Sequence, residues 1–487
     1  MTHRTDRMPS TTSFQRVILM GFGNIGQALV PLLRQTWPGT PLEIVDERMD
    51  ASQQAVAERH ALPWRRLRIT ADNYRQVLAP SVCEGTLLLN LATSIGSEDV
   101  LTWAQQQGAF YLDTCIDPWS YDDGALEGAH NTNYAMREAL LARCRELPAG
   151  LPTAVVAHGA NPGLVSVLVK EGLVRMADQA GLGPVAPASP VEWALLAEQL
   201  GVRVIQVAER DTQSDGQPRA AGEFVNTWSV DGFVAEALQP VELGWGSHEA
   251  QGPLARLARH HEEGGRSAVY FQRLGHEVSV RSWCPAAGSF TGRLISHNEA
   301  MSISAFLTVP GQGGELAAPR YRPTVYYAYH PSDVAMDSLA LLATGDRSQV
   351  QSQRVMKDEI VSGIDELGVF LLSDRLPALW LGSQLDIQRA REMAPHNNAT
   401  SLQVVGSVMA ALKWMLRHPR RGMVESEALD HDFLLQEARP YWEPLVCVSV
   451  HWHPATGLQT QGQAGTGSAG AWCLDQFWEG APAGSLA

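Results

Sequence analysis

Over the first 160 residues, short uninterrupted apolar runs alternate with stretches whose apolar positions recur every three or four residues, a pattern that predicts alternating strands and helices. Residues 17–20 form a fully apolar strand, followed by a helix with Ala28, Leu29, Leu32 and Leu33 on one face. Strands follow at 42–45, 64–70, 87–92, 109–113 and 153–157, with helices at 53–59, 100–107 and 133–145. The fold class expected for residues 1–158 is α/β, a Rossmann-type doubly wound parallel sheet. From 159 to 395 the rhythm changes. Strand patterns at 202–208, 226–233, 268–271 and 324–330, few helices, and Gly/Pro-rich connections such as 311–314 predict a second, α+β substrate and dimerisation domain on a largely antiparallel sheet. Residues 396–487 open with an apolar helix at 401–416, carrying Leu402, Val405, Val408, Met409, Leu412 and Met415 at helical spacing and stopped by the segment 417–422. That helix is expected to complete the first domain. A Gly/Gln/Thr-rich stretch at 459–470 predicts a loop, and there is no internal repeat.

The junction between the first strand and helix reads Gly21-Phe22-Gly23-Asn24-Ile25-Gly26. In a dinucleotide-binding turn the first glycine permits the tight bend, the second lets the backbone approach a pyrophosphate, and the third allows close helix–strand packing. The helix N-terminus adds partial positive charge. Asp46 ends the next strand about 20 residues beyond the last glycine, the place of the acid that binds the adenine ribose hydroxyls and repels a 2′-phosphate. The cofactor this predicts is NAD, held by Gly21, Gly23, Asn24, Ile25, Gly26 and Asp46. Ligands in such sheets lie at the carboxyl ends of strands, which adds Asn90, Thr93, Ser94, Thr114 and Pro162 as candidates. For Asn90, Thr93 and Ser94, an ordinary polar loop after a strand is an equal alternative. At 158–163, His-Gly-Ala-Asn-Pro-Gly breaks a strand and starts a helix; Asn161 is either a plain turn residue or part of a site, and Pro162 suits the first helical turn.

Three stretches of the second domain set acids beside an aromatic residue or a histidine: 207–213 with Glu209, Arg210 and Asp211; 226–233 with Trp228 and Asp231, and Glu236 beyond; and 295–300 with His297 and Glu299. Carboxylates and an indole face are groups that hold an ammonium. Histidine is the natural proton shuttle beside them. Taken singly, Trp228 also fits a core residue, His297 a buried hydrogen-bonder and Glu209/Arg210 a surface pair.

The net charge of −15 disfavours nucleic acid and anionic membranes as partners and permits a cationic substrate. No run approaches the ~18 uninterrupted apolar residues of a membrane span, and the polar start lacks a signal-peptide core, so a cytoplasmic location is expected. Six cysteines, scattered without metal-ligand spacing, predict free thiols and no bound metal.

The segments GFGNIG, AHGANPGLVS, AERDTQ, NTWSVDGF, SHNEAMS, DELGVFLL and NNATSLQVVGSVMAALKWML together resemble the bacterial homospermidine synthases, within the saccharopine dehydrogenase-like superfamily. The resemblance covers nearly the whole chain. It implies NAD retained as a prosthetic group, conversion of two putrescines to sym-homospermidine and ammonia, related di- and polyamines as further ligands, and a homodimer. It also implies a cation–π role for Trp228, and amine anchoring or proton transfer by Glu209, Glu236, Asn161 and His297. After the fourth strand, where the family carries glutamate, this chain has Asp117, one methylene shorter. A saccharopine- or carboxynorspermidine-type reductase is the alternative, but it would need arginines for α-carboxylates, and the acid-rich segments contain only Arg210. A catalytically inactive NAD-binding protein is the other alternative; it would give the acids, Trp228 and His297 no reason to cluster.

Overall fold

The computed structural model describes residues 12–121, 128–261, 267–312, 318–458 and 472–480. Its first sheet has seven strands, all parallel, in the spatial order Met423–Glu425, Ala154–Val156, Phe110–Asp113, Thr86–Asn90, Arg16–Met20, Leu42–Asp46, Trp64–Arg66. The strand order reverses at Arg16–Met20, which pairs with Leu42–Asp46 on one side and Thr86–Asn90 on the other. A crevice opens at the carboxyl ends of the strands on either side of such a reversal. The strand expected at 64–70 stops at Arg66 on the sheet edge, where Arg65 pairs with Glu43 across the neighbouring strand.

The second sheet is an eleven-stranded, largely antiparallel sheet with one parallel pair at its centre, Val202–Asp211 beside Thr324–His330. Ile364–Ser373 pairs antiparallel with the other side of Val202–Asp211. The sequence pattern underestimates the helices here: Leu164–Gln179, Pro190–Gln199, Val230–Leu238 and Asn298–Phe306 all belong to this part of the chain. The continuous strand expected at 226–233 is also corrected. A strand ends at Asn226, Thr227 and Trp228 form a turn, and a helix starts at Val230, because the Ser229 hydroxyl accepts the Gly232 N–H at 3.0 Å and caps it. Pro162 does not sit in a helical turn; the helix begins at Leu164 with Gly163 as its cap.

The helix Ala399–Arg417 is long and apolar enough to cross a membrane, but it is almost wholly buried inside the protein. One apolar cluster runs from Val17 and Leu29 through its Leu402, Val405 and Met409 to Leu367 and Val369 of the second sheet, so this helix joins the two units. The chain that follows contributes to both sheets: Met423–Glu425 extends the first, and Leu445–Val450 pairs with Ala378–Asp386 of the second. All six cysteines are free thiols. The loop positions 313–314 and 459–470 lie outside the described residues.

Candidate active site

The glycine turn fits a dinucleotide. Gly21 adopts φ +89°, and a Cβ on it would meet Ala92 N at 2.8 Å, so neither its conformation nor its surroundings admit a side chain. A Cβ on Gly26 would stand 2.9 Å from Gly21 O, the close helix–strand approach expected of the third glycine. Gly23, by contrast, has no atom of the described residues within 4 Å of an added Cβ, which leaves a cradle for phosphate at the helix N-terminus. Asp46 accepts the Phe22 N–H at 2.6 Å and the Arg48 N–H at 2.9 Å, so its carboxylate is fixed beside the turn. Ile25 is half-buried against the core, and Asn24 donates to Thr227 O at 3.3 Å.

Thr93 and Ser94 are exposed on the loop after the fourth strand, Ser94 with φ +78°. Asn90 is turned inward instead: its amide donates to Ile95 O and Tyr111 Oη, both at 3.1 Å, so it shapes this loop from behind. Thr114 is half-buried beside Gly159, and Pro162 O accepts the Gly159 N–H at 2.6 Å.

The second cluster lies at the carboxyl end of the parallel pair of the other sheet. Glu209 and Tyr329 are register partners there, and Tyr327 shares Tyr329's face because alternate residues point the same way. Glu209 is buried; its Oε2 accepts from Tyr327 Oη at 2.6 Å and from Asn161 Nδ2 at 3.1 Å. Tyr327 stacks on Tyr329 at 5.0 Å and lies 4.7 Å from the His297 ring, giving an aromatic wall. Trp228 continues the wall, with its Nε1–H directed at Tyr329 Oη, 3.4 Å away. His297 holds Glu299 at 2.8 Å through Nδ1 and approaches Glu236 at 3.5 Å through Nε2. From the first domain Asp117 accepts the Tyr121 hydroxyl at 2.5 Å.

Too many buried carboxylates converge here for all to be ionised comfortably without a further cation among them. Burial pushes Asp117 up to about 7, with further upward pressure from Asp113 and Glu236. Burial, reinforced by Asp211, also raises Glu209 against the hydrogen bonds of Tyr327 and Asn161. For His297, burial would lower the pKa, but Glu299 and Glu236 together outweigh it and hold the imidazole protonated well above its usual range. The Cys115 thiol is raised by burial and by Asp117, Glu236, Asp113 and Glu299, the first-domain and second-domain acids acting on one spot. Glu236 Oε2 is buried and has no hydrogen-bond partner among the described residues. An incoming ammonium supplies what this arrangement lacks, a mobile positive charge with several N–H donors.

The comparisons with known proteins agree over most of the chain. Residues 17–155 match the saccharopine dehydrogenase NADP binding domain, and residues 159–447 match the saccharopine dehydrogenase C-terminal domain. A homospermidine synthase of Blastochloris viridis is 41% identical over 448 residues, 91% of this chain and 92% of that protein. One from Mesorhizobium japonicum is 38% identical over 90% of this chain and 91% of its own. The chain belongs to the homospermidine synthase family. The crystal structure of the Legionella pneumophila homospermidine synthase in complex with NAD superposes with a TM-score of 0.86 at 36% identity, covering 96% of this chain and 98% of that one.

That family relative holds NAD although the matched domain is described by NADP. In this chain Asp46, fixed beside the glycine turn, is the residue expected to favour NAD, since a carboxylate at the ribose position would repel a 2′-phosphate. Replacing Asp46 by Ser is expected to weaken NAD binding and narrow its advantage over NADP; titrating both nucleotides against the variant checks this, and an unchanged preference removes Asp46 from the ribose contact.

Thus Asn161, Glu209, Tyr327, His297 and Glu236 form one chain of contacts, Asp117 is coupled to it through the charge of Glu236, and Trp228 joins it through Tyr329. Sequence reading did not single out Tyr327, Tyr329 or Tyr121 as site residues, and it noted Glu299 only as part of a stretch. The period-two spacing of Tyr327 and Tyr329 on a predicted strand was the available signal.

Proposed function

We propose that this chain condenses two putrescines to sym-homospermidine with release of ammonia, using NAD with no net redox change. The observation that carries the reading is the buried Glu209–Tyr327–His297–Glu236 constellation, an acidic, aromatic-walled site suited to a diamine and without arginine among its hydrogen-bonded members. Bound NAD supplies hydride acceptance and return. The protein's own residues do the rest. Glu209, oriented by Asn161 and Tyr327, anchors one ammonium, and Asp117 with Glu236 offers anionic oxygens toward the first-domain side. Trp228 and the tyrosine wall face positive charge that develops on the reacting nitrogen. His297 and Glu236 form a proton path at 3.5 Å for the departing ammonia. Burial of the constellation keeps bulk water from a hydrolysable intermediate. Incubation with putrescine should give triamine and ammonia in equal amounts; a requirement for an α-keto acid or amino acid would favour the saccharopine-type alternative.

The free thiols fit a reducing compartment such as the cytoplasm, and the family resemblance supports a homodimer; light scattering of the purified protein tests the latter.

The raised carboxyl pKa values set the sign of a pH effect. A carboxyl whose folded pKa is raised favours the folded state below its unfolded pKa and loses that contribution as pH rises through the folded value, about 7 for Asp117. The free protein should therefore lose stability as pH rises from about 4 to about 7, and above that the Asp117 contribution is fully lost. Putrescine binds the ionised form, so the rise in melting temperature it produces should be larger at pH 8.5 than at pH 6. An equal rise at both would show that the raised acids do not bind the amine.

A further inference from the structure

The turn that carries Trp228 is fixed by one neighbouring residue, Thr227, which is fully buried. Its carbonyl accepts two side-chain amides: Asn398 Nδ2 at 2.6 Å, from the cap of the helix that joins the two units, and Asn24 Nδ2 at 3.3 Å, from the glycine turn of the nucleotide crevice. Its hydroxyl donates to Asp211 Oδ2 at 2.9 Å, one alternation beyond Glu209 on the same strand face. Asn398 is tied further to Met356 O at 3.0 Å, so it cannot follow Thr227 if the turn moves. Asn24 is buried and opens the helix directly after Gly23, whose open face is the candidate cradle for phosphate. A single residue therefore touches the nucleotide turn, the joining helix and the acidic strand, and its next neighbour is the indole of the amine site.

We propose that Thr227 is a positioning residue for the reaction: the Asn24–Thr227–Asp211 chain of hydrogen bonds sets the height of the Trp228 ring over the reacting nitrogen relative to the bound nucleotide. The inference rests on the reading that Trp228 faces the amine. It follows from the geometry because each hydrogen bond removes a different freedom of the turn. Asp211 fixes it along the strand, Asn398 against the second unit, and Asn24 against the nucleotide turn. A β-branched residue without the hydroxyl would keep the packing and lose only the Asp211 arm.

The test compares holoenzymes carrying Thr227→Val and Thr227→Ser. Losing one buried hydrogen bond that orients the site is expected to lower kcat/KM for putrescine about tenfold in Thr227→Val, whereas Ser, which keeps the hydroxyl, should restore it to within about twofold. Bound NAD and the melting temperature of Thr227→Ser should match wild type. In Asn24→Ala, turnover should fall by a similar factor even where saturating NAD restores full occupancy, because the nucleotide arm is cut while the Asp211 arm stays. This second variant carries the test if Thr227→Val fails to fold. Wild-type kinetics in Thr227→Val, equal loss in Val and Ser, or full recovery of Asn24→Ala at saturating NAD would overturn the proposal. If substitutions of Trp228 itself leave activity unchanged, it is the underlying reading of the amine site that falls.

Discussion

Trp228→Ala is expected to lose at least about 30-fold in kcat/KM for putrescine, the equivalent of roughly 2 kcal/mol of cation–π stabilisation at constant fold. The ring is half-buried, its Nε1–H points to Tyr329, and its other neighbours are Phe233 at 6.4 Å and the first turn of the helix Val230–Leu238, where a Cβ on Gly232 would come within 2.7 Å of it. It is therefore held by its edge, with the aromatic wall at its side. If the indole face stabilises positive charge, activity should follow the electrostatic strength of the π-face, falling from Trp to Phe to Ala, while a packing role would follow volume. Trp228→Leu separates the two, since it fills space without a quadrupole. Leu turning over as fast as Phe, with melting temperature tracking side-chain size, would make Trp228 a core residue and leave the charge to Asp117, Glu209 and Glu236.

His297→Ala is expected to cost about a hundredfold or more in kcat, the range of a positioned acid–base group. The ring is locked on three sides: Glu299 on Nδ1, Glu236 near Nε2 and Tyr327 against its face. Its raised pKa means that it carries its proton into the catalytic cycle at neutral pH and can hand it on only when the local charge changes, as when a cationic substrate pairs with Glu236. Glu236→Gln should lower turnover in the same direction, and both variants should keep their NAD. His297→Gln preserves a donor to Glu299 but cannot shuttle a proton, so it should remain as slow as Ala. Full activity in His297→Gln, or loss of NAD from His297→Ala, would assign the ring to structure.

What the sequence made legible was local. GFGNIG needs only six neighbouring residues to announce its turn, and Asp46 follows at a distance set by one helix and one strand, so both are legible in the sequence alone. The misreading of 226–233 has a local cause too: Val225, Thr227 and Val230 look like strand, and the Ser229 cap followed by Asp231 was the overlooked helix start. Other features were not local. Tyr329 belongs to the site because it pairs in register with Glu209, 120 residues earlier in the chain, and no short window contains that pairing. Met423–Glu425 joins the first sheet as three residues delivered by the joining helix, too short for any periodicity. Asn90, placed by its strand end, proved to face inward because Tyr111 and Ile95 offer it partners there. Strand ends locate a crevice; they do not say which side chains turn into it.

In the proposed reaction one hydride leaves a putrescine carbon and returns to the same carbon skeleton within one active site. The most direct measurement supplies the NAD-loaded protein with putrescine fully deuterated at both nitrogen-bearing carbons, in ordinary water, and weighs the triamine by mass spectrometry while following NADH absorbance. The expected product is homospermidine that retains every deuterium of its two parent diamines, with one ammonia per triamine and no accumulation of NADH. Triamine that has exchanged a deuterium for a solvent proton, NADH that builds up in proportion to putrescine consumed, or no triamine at all would contradict it.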